Sequence, residues 1–260
     1  MAENLPSQEQ PEEISLEEDE KRRLEQEWLN FSEANKMLRF LENQEIVVSD
    51  RQARLLAISC CNRLNDLLDD RSKKALEVAE LYADGNANIE DLNEARRIAR
   101  EVLSNLPFDE NGSIDLGSIE LTATQQALEA INCSLDASAR LFLGSAIIRS
   151  NTAFAYAYDK NQSKDKANSY SVNLLRDIVG NPFAKEPIVF DENWRTSDVL
   201  AIAKGIYEEK AFERMPILAD ALQDAGCDNE EILNHCRKDL NTSECSHVRG
   251  CWVIDLILGK

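Results

Sequence analysis

Apolar positions recur at helical spacing through most of this chain. The sharpest stretch is 49–70, "SDRQARLLAISCCNRLNDLLDD". Leu55, Leu56, Ile58, Leu64, Leu67 and Leu68 form a stripe there, with Arg51, Arg54, Asn62 and Arg63 outside it. Ser49 and Gln52 stand at capping-box spacing, which predicts a helix start at that point. Upstream, Leu24, Trp28, Phe31, Met37, Leu38 and Leu41 predict one or two helices, entered near Ser15 and broken near Ser32. Downstream, Ala75, Leu76, Val78, Ala79 and Tyr82 form a face that Gly85 stops, and 89–104 reads as a further helix. Short connections between such elements predict antiparallel helical hairpins.

Residues 105–120, "NLPFDENGSIDLGSIE", interrupt the periodicity. The twelve residues from Asp109 to Glu120 invite comparison with a calcium-binding loop, but Gly112 is fourth where the sharp turn needs a glycine at the sixth position. The stretch is better read as a polar turn. From 121 to about 178 the chain is alanine-rich and helical, with a polar section at "DKNQSKDKANSYS", and Asn181-Pro182 ends it. Beyond an extended link, Thr196 or Ser197 caps a helix to about Glu209. A second covers "MPILADALQDAG" with Gly226 as its stop, and Asp228 caps a third over "NEEILNHC". A last helix starts near His247 or Arg249 and puts His247 and Cys251 on one face. The expected fold class is all-α: helical hairpins or a bundle with a compact C-terminal helical module. The expected divisions are a disordered acidic tail at 1–16, a helical region at 17–180 with a long alanine-rich middle, and a C-terminal module at 181–260.

Charge narrows the partners. The 260 residues carry a net charge of −19, and the first 20 hold eight acidic side chains and no basic one. Such a field repels a phosphate backbone and an anionic membrane, so nucleic acid and membrane are not expected partners. The first residues lack the basic and apolar regions of a signal peptide, and no apolar run approaches the roughly 20 residues that span a bilayer. Seven cysteines, two of them adjacent at 60–61, suit a reduced compartment, and a cytoplasmic protein is expected.

Candidate chemistry is concentrated in one place. Residues 227–251 contain both histidines and four of the seven cysteines. Thiolate and imidazole together favour zinc. The preferred ligand set is Cys227, His235, His247 and Cys251, with Cys236 and Cys245 as candidate replacements. No C-x-x-C knuckle is present, and His235 and Cys236 would point about 100° apart on a helix, leaving room for one of them. Buried thiols and a hydrogen-bonded imidazole are the plainer alternative. His247, Cys251 and Asp255 also resemble a Cys-His-Asp set, but successive helical turns would stack them in one row with no oxyanion hole. Glycine-rich phosphate loops, nucleophile elbows and H-E-x-x-H are absent from the sequence.

Two blocks are similar to a family. "MLRFLENQ" with "SDRQARLLAISCCNRLNDLLDDRSKKALEVAELYADG", then "LLRDIVGNPF", "IYEEKAFERMPILADALQDAGC", "ILNHCR" and "HVRGCWVIDLILGK", resemble in order an uncharacterised bacterial family of planctomycete-type genomes. The resemblance covers about 27–104 and 173–260. It implies no activity, and it places Cys227, His235, His247 and Cys251 within the family's C-terminal pattern. "CCNRL" departs from a more basic continuation, and "KDLNTSEC" replaces a short Gly-Pro-rich loop, which argues against Cys245 as a required ligand. The expected function is a non-enzymatic cytoplasmic helical module that binds another protein, with its C-terminus stapled by zinc. The alternative is an enzyme using the same cluster as a zinc or thiolate site.

Overall fold

The computed structural model describes residues 11–106, 119–158, 163–184, 188–238 and 247–260. Residues 1–10 of the expected tail, residues 107–118 with most of the stretch compared with a calcium-binding loop, and Cys245 lie outside them. Among the described residues the protein is all-α, with no strand. The first helices are α1 (Pro11–Asn30), α2 (Ala34–Asn43), α3 (Asp50–Asn62), α4 (Asp70–Ala83), α5 (Ile89–Ser104) and α6 (Ile119–Ser134). They are followed by α7 (Ala139–Tyr158), α8 (Ser163–Val179), α9 (Ser197–Glu209), α10 (Met215–Asp224), α11 (Glu230–Arg237) and α12 (Trp252–Leu258).

Local chemistry sets most of the ends. Ser49 Oγ accepts from the Gln52 N–H at 3.1 Å and Gln52 Oε1 accepts from the Ser49 N–H at 3.0 Å, the reciprocal box the spacing predicts. α5 has the predicted bounds, and Thr196 caps α9. Three starts differ. α1 begins at Pro11 rather than Ser15. Proline's fixed φ and missing N–H fit the first helical position. Asn229, not Asp228, caps α11. α12 begins at Trp252, because Gly250 sits at φ +90°, outside any helix.

Three apolar cores follow from the burial pattern. The first gathers Trp28, Met37, Leu41, Leu56, Ile147 and Leu175 from α1, α2, α3, α7 and α8. The second joins the α4–α5 hairpin to α6 through Leu76, Leu92, Leu128 and Ile131. α3 serves both: Cys60 enters the first core and Cys61 the second, as adjacent helical residues project apart. Because α3 is covered on every side, Arg54 is buried too, although it falls outside the apolar stripe. Its guanidinium donates to the carbonyls of Ser134, the last residue of α6, and of Ala137 just beyond it, which offsets the burial of charge. The third core is built by α9–α12 around Ile206, Leu218, Ile232 and Ile254.

The third core meets the others along a charged seam. Arg51 on α3 pairs with Asp255 on α12, and its Nη2 lies 3.2 Å from Asp84 and 2.9 Å from the Tyr207 hydroxyl. Tyr207 donates to Asp84 at 2.5 Å, Lys210 to Glu80 at 2.7 Å, and Arg249 lies 3.5 Å from Glu80. Asp255 is thus spent on Arg51 and takes no part with His247 and Cys251.

Candidate metal centre

Four side chains from three separated segments converge beneath this seam. Asp177 lies in the last turn of α8, and His235 in the last turn of α11. His247 and Cys251 flank the turn that leads into α12. All four are buried, and one ligand atom from each lies within 4.8 Å of the others. His247 Nδ1 is 2.5 Å and His235 Nε2 is 3.1 Å from Asp177 Oδ1. Cys251 Sγ lies 3.2 Å from His235 Nε2 and 3.7 Å from His247 Nδ1.

The backbone explains the convergence. The Cys251 N–H donates to the Val248 carbonyl at 3.0 Å, closing a turn through Gly250. A Cβ at Gly250 would stand 2.9 Å from Leu55 Cδ1 and at a φ that L side chains avoid, so glycine lets the turn press against α3. His247 and Cys251 therefore meet across a turn and not along a helix face. At α11, His235 enters the group, whereas Cys236 is buried in the third core. Asp177 is oriented from its other oxygen, which accepts the Val248 N–H at 3.0 Å. Oδ1 is thereby left to the histidines, the arrangement an oriented ligand carboxylate shows.

Cys227 is not in the group. Its N–H is tied to the Leu222 carbonyl at 2.9 Å where α10 stops, and its side chain joins the apolar core of α9–α12. Asp177 stands in the group instead, 58 residues before His235, where local spacing carries no signal. The only sequence mark on it is its place in "LLRDIVGNPF", amid the apolar Leu174, Leu175 and Ile178.

Burial governs the electrostatics. It would raise the Asp177 carboxyl, but hydrogen bonds from His235 and His247 hold it well below the usual range. Burial lowers His235 against the pull of Asp177, so an ionised carboxylate faces a neutral His235. The Cys251 thiol is pushed far up by burial and by the Asp177 charge, and Cys236 is pushed up to about 12 by the same two causes. Without a cation the Cys251 sulfur is a protonated thiol, the opposite of an activated nucleophile.

The dimensions suit a small tetrahedral ion. Zinc with ligands at about 2.0–2.3 Å separates neighbouring ligand atoms by roughly 3.3–3.5 Å. Three of the four measured separations lie within a few tenths of an ångström of that range, and the His247–Asp177 edge would have to open. The buried Asp177, His235, His247 and Cys251 group could therefore hold a metal ion. Among the described residues no helix is long and apolar enough to cross a membrane. Comparison with protein-family models, curated proteins and solved structures gave no significant match.

Proposed function

We propose that this chain is a non-enzymatic helical protein-interaction module of the cytoplasm, stapled by one zinc ion on Asp177, His235, His247 and Cys251. The carrying observation is the convergence of four buried ligand atoms from α8, α11 and the turn before α12. Ionised Asp177 and a thiolate at Cys251 would place two negative charges in a buried site, which a divalent cation neutralises. A carboxylate, two imidazoles and a thiolate form a borderline-soft donor set that favours zinc over magnesium or calcium. Four protein ligands leave no position for a substrate or activated water, which favours a structural role. By joining α8 to the C-terminal module, the ion would fix how two cores meet.

The interaction half of the proposal rests on a groove of about 680 Å³ between α2 and α7, where Val47, Leu141 and Ile148 are exposed. Contiguous exposed apolar side chains mark surfaces that partners cover. The alternative, an enzyme working through the cluster, needs a reactive thiolate or an open metal position, and burial opposes both.

Elemental analysis of untagged protein tests the zinc centre, with one zinc per chain expected. Replacement by cobalt(II) should give the intense visible bands of a tetrahedral site and a thiolate charge-transfer band. Cys251→Ser should lose the charge-transfer band. A folded chain that takes up neither ion would end the proposal.

A further inference from the structure

Trp252 stands between the buried centre and the surface. Its indole N–H donates to His235 Nδ1 at 3.1 Å, on the opposite side of the ring from the Nε2 that faces Asp177 and Cys251. An indole N–H only donates, and a neutral imidazole carries a single proton. While Nδ1 accepts from Trp252, that proton is on Nε2, which then has no lone pair for a cation. With Nε2 on a cation the proton moves to Nδ1 and meets the indole N–H, donor against donor. The imidazole can serve the tryptophan or a metal ion, and not both at once.

One side of the indole is closed. A Cβ at Gly180 would lie 3.3 Å from Trp252 Cγ, so the ring is already against the backbone after α8. On another side it lines a cleft of about 450 Å³ with Ser49, Gln52, Ile188 and Leu256. We infer that Trp252 is a positioning residue that competes with the metal for His235, and that metal loading releases its indole N–H toward this cleft. The inference rests on the zinc reading above. It makes the surface between α3 and α12 report the occupancy of a buried centre, through a contact of the ring and not through a charge.

The test uses the full chain. With 5-fluorotryptophan at Trp28, Trp194 and Trp252, the Trp252 resonance, assigned with Trp252→Phe, should move on zinc addition while the other two stay. Trp252→Phe should bind zinc several-fold more tightly in competition with a chromophoric chelator, up to about tenfold, the range that one neutral hydrogen bond converts to. In the unsubstituted chain, nitrogen-15 shifts of the histidines should show His235 Nδ1 as an acceptor without zinc and as N–H with it, a reading that needs no variant. Zinc uptake with an unmoved Trp252 signal and an unprotonated His235 Nδ1, or a folded Trp252→Phe that binds equally or more weakly, would overturn the inference and spare the zinc centre. No uptake by the unsubstituted chain would remove both.

Discussion

Two joints hold the C-terminal module to the helices before it, and they solve the burial of charge in opposite ways. At the seam, Glu80, Asp84 and Asp255 face Arg51, Lys210, Arg249 and Lys260, so every acid has a basic partner supplied by the chain. At the Asp177 cluster the ion pairs among the described residues run only to histidines, one of them neutral. The seam is electrically complete as a polypeptide. The cluster holds two potential anions and, among the described residues, no permanent cation. A buried arrangement of that kind either keeps its thiol protonated or takes up a cation, and only the second makes it a strong joint.

The comparison breaks most decisively at the ligands. The double variant His247→Ala, Cys251→Ser should take zinc content from one per chain to none. It should also cost about 3–5 kcal/mol, the scale for removing one partner of a buried charged group, as read by urea denaturation. Hydrogen exchange should place the loss in 197–258 and spare α4 and α5. A variant as stable as the parent would make the cluster no joint at all. Arg51→Met attacks the other side. Asp255 loses its guanidinium while Asp84 keeps Tyr207, Arg249 and Lys260, so a loss of about 2–3 kcal/mol is expected with zinc content unchanged. If zinc were lost as well, the two joints would not be independent.

Gly250→Ala sharpens the geometry. A residue with a Cβ at φ +90° that also meets Leu55 should cost about 2 kcal/mol. Zinc affinity should fall with it, since the same turn sets the span from His247 to Cys251. Unchanged affinity would mean that the turn is not what places these ligands. Ser49→Ala is the smallest perturbation. Removing the cap of α3 should lower stability by about 1 kcal/mol and leave zinc binding untouched, which calorimetry and a zinc titration would show together.

Both joints are made of side chains far apart in sequence, and this decides what could be read in advance. Helix boundaries set by neighbouring residues were legible: the Ser49–Gln52 box, the bounds of α5, the Thr196 cap and the stop at Gly226. The error at α12 also has a local cause. "HVRGCW" carries no helix-breaking proline, and a glycine can sit inside a helix or outside it. In the folded chain Gly250 takes φ +90° and lies against Leu55, a neighbour nearly 200 residues away.

The candidate centre divides along the same line. His235, His247 and Cys251 are legible in the sequence because chemistry-bearing residues are rare in this chain and crowd into 227–251. The same scarcity points to Cys227, which the turn after α10 holds elsewhere. Asp177 is one of 48 acidic residues, and nothing in its neighbours marks it as a ligand. The sequence by itself determined an all-α chain, most of its helix ends and the thiol and imidazole donors, because caps, periodicity and scarcity are local properties. Only the tertiary structure decided that a carboxylate completes the group, that Asp255 belongs to the seam, and that Trp252 and a metal ion would contend for one imidazole. Those outcomes depend on which helices pack together, and packing couples residues that share no local pattern.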